Sequence, residues 1–465
     1  MSFKVRLPAG VDIFDNTAAY SNEQIKINYF SGLDLLQEII DLRTSTFVDE
    51  KGFLDQEHLT SENDRSGTHI LVYDIPSGKL MGCTHIVCAE DSDFSFYTDI
   101  PADKLRTAVL SSRSAVNPEF RNKGIFSLLI YLAGRWGRMR GRKRFVGFIE
   151  QGNPPIKKML RCPEIPNVPL RTVSGANGEQ YQVVSTSIPI DYVTYRSFQT
   201  MSKALREFAS NALMPAELMF KVENGIDDFY NTKWYLKVMD ETLTKDQYIA
   251  ALSNIHLYVK WTTRLLATVV GQTEERELRG DLLHHLEGEV DHELMLERDL
   301  EALDWDVGFV QHAMSPNPEI IKFMAMQQSL ASFERDPVMF LVAPLVAEGL
   351  SANMVPEFIH ALERCIRSWG ITKPKTAMSF LHSHIYTDGG DKGHWQAVQK
   401  TISKRISSES RFQHALNLTE AMFVSMCSAY NDFVNDADLD GFDGARTESR
   451  ASRSQSPAVT TEMHS

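Results

Sequence analysis

Short apolar runs fill the first ~195 residues, as in THILVYDI, KLMGCTHIVCA, TAVLSSRSAV, RFVGFIE and YQVVSTSIPI, with helical stretches between them. From about Thr200 to Phe433 the β-branched alternation gives way to a spacing near 3.6, as in QYIAALSNIHLYVKWTTRLLATVV, LRGDLLHHLEGEVDHELMLERDLEALD and PEFIHALERCIRSWG. This change of period predicts a boundary near 195 to 205. The expected domains are residues 1–198, mixed α and β, residues 199–434, all helical, and a flexible polar tail over 435–465. In the tail, Asp436, Asp438, Asp440 and Gly441 look like the start of a calcium loop. Its twelfth position would fall on Thr447 and not on a bidentate Glu, so a solvated acidic tail is expected.

With 43% hydrophobic and 23% charged residues among 465, the composition excludes a disordered, collagen-like or fibrous protein. The longest apolar run, Met339 to Ala347, is under half of the roughly 20 residues a bilayer crossing needs, so no membrane span is expected. The start, MSFKVRLPAGVDIF, lacks the features of a signal peptide, which makes a cytoplasmic protein the expectation. Cys83, Cys88, Cys162, Cys365 and Cys427 follow neither a disulfide framework nor a CxxC spacing and are expected to be reduced. The net charge of −13 argues against a general nucleic-acid binder. One stretch departs from it. Arg135, Arg138, Arg140, Arg142, Lys143 and Arg144 suit either a nucleotide phosphate or acidic carrier protein, or a solvated basic helix end.

The run TAVLSSRSAVNPEFRNKGIFSLLIYLAGRWG reads as strand, turn and helix, the first turn being Arg121, Asn122, Lys123, Gly124, Ile125 and Phe126. A glycine there lets a ligand approach unpaired amides at the positive end of a helix, a place for a pyrophosphate. The segment AVNPEFRNKGIFSLLI resembles the acyl-CoA motif of the GNAT acyltransferase superfamily: Arg or Gln, two residues, Gly, one residue, Gly or Ala. Gly124 matches the first glycine, whereas Phe126 stands where a small residue is preferred. That departure implies a differently seated pyrophosphate or a donor entering by its pantetheine arm alone. Upstream, Arg43-Thr-Ser-Thr-Phe47-Val-Asp-Glu50, then Glu62-Asn-Asp64 and THILVYD, resemble the branch that makes N-acyl homoserine lactones and N-acyl amino acids. The resemblance covers roughly residues 25 to 190. It implies an α+β mixed sheet with helices, an acyl-CoA or acyl-carrier donor and an amine or amino-acid acceptor. Arg43, Phe47, Asp64 and Arg113 would shape the acceptor side, and Glu50 or Asp64 would take the ammonium proton directly or through water. Read without the resemblance, Arg113 is equally a salt-bridged strand residue and Glu50 a solvated loop carboxylate.

Three helical segments carry the remaining chemistry. His285, Glu289 and His292 fall at i, i+4 and i+7, one helix face, and Glu289 with His292 forms Glu-x-x-His. Glu348 follows a long apolar run, where a buried carboxylate needs a partner. His384, Asp388 and Asp391 repeat the stripe, and His394 reaches it only if Gly389 and Gly390 permit a bulge or break. Oxygen and imidazole donors without cysteine suit non-haem iron or manganese. Taken singly, His285 or His382 reads as a surface or core histidine. The pattern resembles the haem-oxygenase-like di-iron oxidases and oxygenases, with Glu289 and His292, then Glu348, then His384 and Asp388 matching. Asp391 stands where that pattern has its last histidine, with His394 three residues on, so either is the sixth ligand. The resemblance implies an all-α bundle, two irons per chain, O2, an electron donor and oxidation of an amine, amino acid or acyl substrate.

The combined expectation is a fusion, an acyltransferase-like domain followed by a di-iron oxidase, carrying out consecutive steps on one small molecule. A homodimer is compatible with it. The alternatives are a single-activity enzyme whose other half docks or binds, a scaffold with both halves degenerate, and cofactorless oxidases or thiamin-cleaving hydrolases of the same helical shape. The hydrolase needs a cysteine nucleophile, and Cys365 and Cys427 read as core.

Overall fold

The computed structural model describes residues 19–21, 24–31, 36–52, 54–55, 59, 63–91, 100–150, 171–388 and 393–435. Asp391 and the tail with its aspartates lie outside them. The chain divides into two compact units, the break falling after Leu213, with residues 408–410 grouping with the first.

The first unit is built on one eight-stranded sheet: β1 (Ala19–Ser21), β2 (Ile25–Phe30), β3 (Thr68–Asp74), β4 (Leu80–Cys88), β5 (Ala108–Val116), β6 (Arg144–Glu150), β7 (Arg171–Ser174) and β8 (Gln180–Pro189). Their order is β1-β2-β3-β4-β5-β6-β8-β7. All neighbours are antiparallel except β5 and β6, as expected of the two strands joined by a helical crossover. That parallel register runs only from Ala108–Arg144 to Leu110–Val146, after which β5 continues without a paired β6 residue. Between β4 and β5 the register passes from Cys83–Ala115 to His85–Ser112, so β5 carries one residue more than its partner. The bulge is at Arg113 and Ser114, and Arg113 has φ 50°. The helix α1 (Gln37–Arg43) widens into π-type turns over Thr44–Glu50, and its Ile39 and Leu42 pack with Leu71, Leu80, Cys83 and Ala115. The crossover helix α2 (Ile125–Met139) buries Leu128, Leu129, Leu132 and Trp136. After β8 come α3 (Ile190–Thr200) and α4 (Lys203–Phe208).

The second unit is helical. Its elements include α5 (Met214–Tyr230), α6 (Lys245–Gln272), α7 (Arg276–Glu289), α8 (His292–Ala302), α9 (Val342–Ala352), α10 (Ser379–Asp388) and α11 (His394–Arg405). The long α6 starts in a capping box, Thr244 accepting from the Gln247 amide and Gln247 reaching back. Aromatic side chains fill one end of the core, Tyr235 stacking on Phe358 with Trp234 alongside. Two periodic segments break where the sequence pattern runs on. The helix expected through LHHLEGEVDHELM ends at Glu289 and restarts at His292, so the three residues of that stripe do not share one continuous helix. His394 likewise opens a new helix. Among the described residues no single helix is long and apolar enough to cross a membrane.

Candidate metal centre

Seven ionisable side chains converge inside the helical unit. From the end of α7 and the start of α8, Glu289 Oε2 lies 2.7 Å from His292 Nδ1, and His384 Nε2 of α10 lies 3.1 Å from the same nitrogen. Cis donors to one ion at about 2.1 Å stand about 3.0 Å apart, so this trio has the spacing of a ligand set. His384 donates Nδ1–H to the Phe380 carbonyl at 2.8 Å, which fixes its tautomer and leaves the Nε2 lone pair toward the centre. A second group is formed by His285, Glu348 and His394. Its donor atoms, like those of the first trio, lie within 4.8 Å of one another. Asp388 Oδ1 is 3.7 Å from His394 Nδ1.

Except for the half-buried His394, all of these residues are buried, Asp388 completely. Burial raises the Glu348 carboxyl despite the nearby His285, and burial together with Glu348 and Glu289 raises that of Asp388. Burial alone would raise Glu289 too, but His292, His285 and His384 outweigh it and hold it at about 2. Burial and the neighbouring His292 bring His384 down to about 4. Both oxygens of Glu348, both of Asp388, and Nδ1 of His394 have no hydrogen-bond partner. A buried carboxylate without donors costs several kcal/mol at roughly the level of a lost charge-assisted bond, unless a cation meets it. Such oxygens beside imidazoles are the donor set of a divalent transition-metal ion.

Outer contacts hold the donors in place. Asp299 of α8 accepts from the Ser379 amide at 2.8 Å, the Ser379 hydroxyl at 2.5 Å and the Phe380 amide at 2.9 Å, tying the helix of His292 to the helix of His384. Trp395 Nε1 donates to the Leu345 carbonyl at 3.1 Å, tying α11 to α9. An apolar cavity lined by Phe229, Tyr248, Ile255, Tyr258 and Phe380 opens onto His285, Glu289, Glu348 and His384. No Lys or Arg lines it among the described residues.

In the sheet unit, Asp64 is held between two guanidiniums: Arg43 Nη2 donates to Oδ1 at 3.1 Å and Arg113 Nη1 to Oδ2 at 2.7 Å. Burial would raise this carboxyl, but the two arginines outweigh it and hold it below its ordinary value. A carboxylate so held is a weak proton acceptor and acts here to fix two arginines. Arg121 forks onto Glu50, so Glu50 too is engaged. Arg121 also donates to the Val116 carbonyl, and Lys123 lies over the Phe120 ring. Asn122 and Gly124 take left-handed backbone at φ 60° and 87°, after which Ile125, buried, and Phe126, half-buried, begin α2. A Cβ on Gly124 would meet the Ser202 amide nitrogen at 2.9 Å, so the chain's own Met201–Leu205 segment covers that side of the turn.

Pattern reading placed Glu289, His292, Glu348, His384, Asp388 and either Asp391 or His394 in the centre; Asp391 lies outside the described residues, and the structure brings the first five together with His394. It also brings in His285, whose spacing four residues before Glu289 was its only signal. His69 and His85 lie beside Asp64, fully buried, with no sequence signal beyond a polar residue in an apolar strand.

No family model and no curated protein matches the chain. Among solved structures it is similar to a domain of unknown function with a heme oxygenase-like fold from Shewanella denitrificans, with 19% identity, TM-score 0.41, and coverage of 54% of this chain and 98% of that one. A TenA homolog from Pseudomonas syringae pv. tomato is similar at 13% identity and TM-score 0.41 over 47% of this chain and 91% of that one. An N-acetyltransferase from Staphylococcus aureus is similar at 14% identity and TM-score 0.28 over 37% and 99%. The chain thus combines a mixed α and β sheet unit with a unit built of helices.

Proposed function

We propose that the helical unit is a non-haem di-iron oxidase or oxygenase, and that the sheet unit transfers an acyl group from acyl-CoA or an acyl carrier to an amine or amino acid that the helical unit oxidises. The observation that carries the first half is the set of unpartnered buried oxygens of Glu348 and Asp388 among histidines. Glu289, His292 and His384 would hold one ion, and Glu348, Asp388 and His394 would hold the other. When bound, such a pair supplies O2 activation with electrons from an external donor. The chain's own part is to position and exclude. Asp299 and Phe380 orient His384, and the apolar wall of Phe229, Ile255 and Tyr258 keeps water from the centre. With carboxylates and no Lys or Arg among its described lining, the cavity suits a substrate with an apolar body and a neutral or cationic polar end.

For the sheet unit, support comes from the early end of β5–β6 pairing, the bulge at Arg113 beside it, and the left-handed turn into α2. An extended donor arm would lie along the β5 backbone beyond that pairing. A second reading, in which only the helical unit is catalytic and the sheet unit binds or docks, is favoured by the Ser202 backbone over Gly124 and by the occupied Arg121.

Anaerobic loading with Fe(II), then O2, tests the proposal. About two irons per chain and O2 uptake in the wild type, both lost in His292→Ala, are expected. Absence of iron binding overturns the oxidase. Calorimetric titration with acetyl-CoA separates the two readings of the sheet unit, no heat favouring the second.

A further inference from the structure

We infer that His285 is itself a metal ligand, completing with Glu348 and His394 the coordination of the second ion, so that residue 391 is not required. The inference rests on the two-metal reading above and assigns a donor that the motif pattern leaves out.

Four observations meet at this residue. His285 is buried, and its Nε2 stands 3.0 Å from Glu348 Oε1. The two side chains stand at ion-pair distance inside the core. A buried imidazole and carboxylate about 3 Å apart also have the spacing of two ligands on one ion. The His394 ring centroid lies 5.7 Å from that of His285, and the half-buried His394 has Nδ1 unpartnered. His285, Glu348 and His394 therefore form a donor trio separate from Glu289, His292 and His384, with Asp388 beside His394 of the second trio.

The local sequence is shaped for this approach. Gly288 follows His285 by three residues on α7, hence on the same face. A Cβ there would lie 2.4 Å from His394 Cε1. Only glycine lets the imidazole of α11 come down onto α7 beside His285. One turn further along α7, Glu289 reaches the other trio, so a single helix serves both positions through an i, i+4 pair. A cleft lined by Asp281, His284, His285 and His394 gives the second position its own path from solvent. A purely structural His285 would explain burial beside Glu348 but not the glycine under His394 or the unpartnered oxygens.

The test uses the full chain, stripped of metal and reloaded anaerobically with Mn(II), with bound metal per chain measured by elemental analysis and the spin state by electron paramagnetic resonance. The wild type is expected to hold about two ions giving an exchange-coupled signal. His285→Ala is expected to hold about one, with the six-line signal of an isolated ion. Asp391→Ala is expected to keep both. His285→Asp, which offers a donor again, guards against misfolding and is expected to recover the coupled signal. Two coupled ions in His285→Ala, or loss of one in Asp391→Ala, overturns the assignment while leaving the two-metal reading intact. Fewer than two ions in the wild type overturns both.

Discussion

The two units each bury a carboxylate, and they treat it in opposite ways. Asp64 in the sheet unit is gripped by Arg43 and Arg113, and its pKa falls. Asp388 in the helical unit has no donor on either oxygen, and its pKa rises. Desolvation acts on both, so the sign of the shift reports the company each carboxylate keeps. A carboxylate neutralised by the protein's own cations is part of the scaffold. One left unneutralised next to imidazoles is arranged for a cation from outside.

Breaking the first arrangement should have the largest effect. Asp64→Leu leaves Arg43, fully buried, facing an uncompensated site and is expected to destabilise the sheet unit by about 3–5 kcal/mol, read from denaturant melts. An unchanged midpoint would show that the clamp contributes nothing. Filling the second arrangement comes next. A divalent ion at about a thousand times its Kd should stabilise the helical unit by about 4 kcal/mol in thermal shift, and the gain should vanish in His292→Ala.

Smaller effects separate cap from ligand. Asp299→Ala deprives two amides and a hydroxyl of their acceptor and should cost about 2–3 kcal/mol at neutral pH in the metal-free protein. Burial pushes Asp299 up to about 6 even against these donors. The folded value thus exceeds the ordinary 3.8, so the stabilisation from its protonation is complete below pH 3.8 and is lost as the pH rises through about 6. The variant should therefore show a flatter stability profile between about pH 4 and 6, and an identical slope would refute the assignment. Smallest and opposite in sign, Asp388→Leu should raise metal-free stability by about 1–2 kcal/mol while abolishing binding at that position. Destabilisation there would mean that Asp388 already has a structural partner.

The sequence pattern made the change from sheet to bundle legible because period 2 and period 3.6 leave different traces, and most of the metal donors were legible because helical spacing repeats their chemistry. The breaks were not. Nothing in the apolar rhythm of LHHLEGEVDHELM marks the interruption at Val290 and Asp291, which is set by the packing of α7 and α8 on α6. His285 was legible only as a position on that stripe, since its place beside His394 depends on α11, more than a hundred residues later. In the sheet unit, the glycine turn into α2 was legible, but its left-handed backbone and the cover of Ser202 over it come from the folded chain. The bulge at Arg113 likewise follows from a mismatch between strands that single-strand alternation cannot record.

The Asp299 link has a consequence in time as well as in energy. Because it fastens the first turn of α10 to α8, the donors on those helices cannot separate by a side-chain rotation alone. An ion held there would leave when the helices part, an event of microseconds or longer rather than the picoseconds to nanoseconds of a rotamer. A metal held by those donors would therefore exchange no faster than the two helices open.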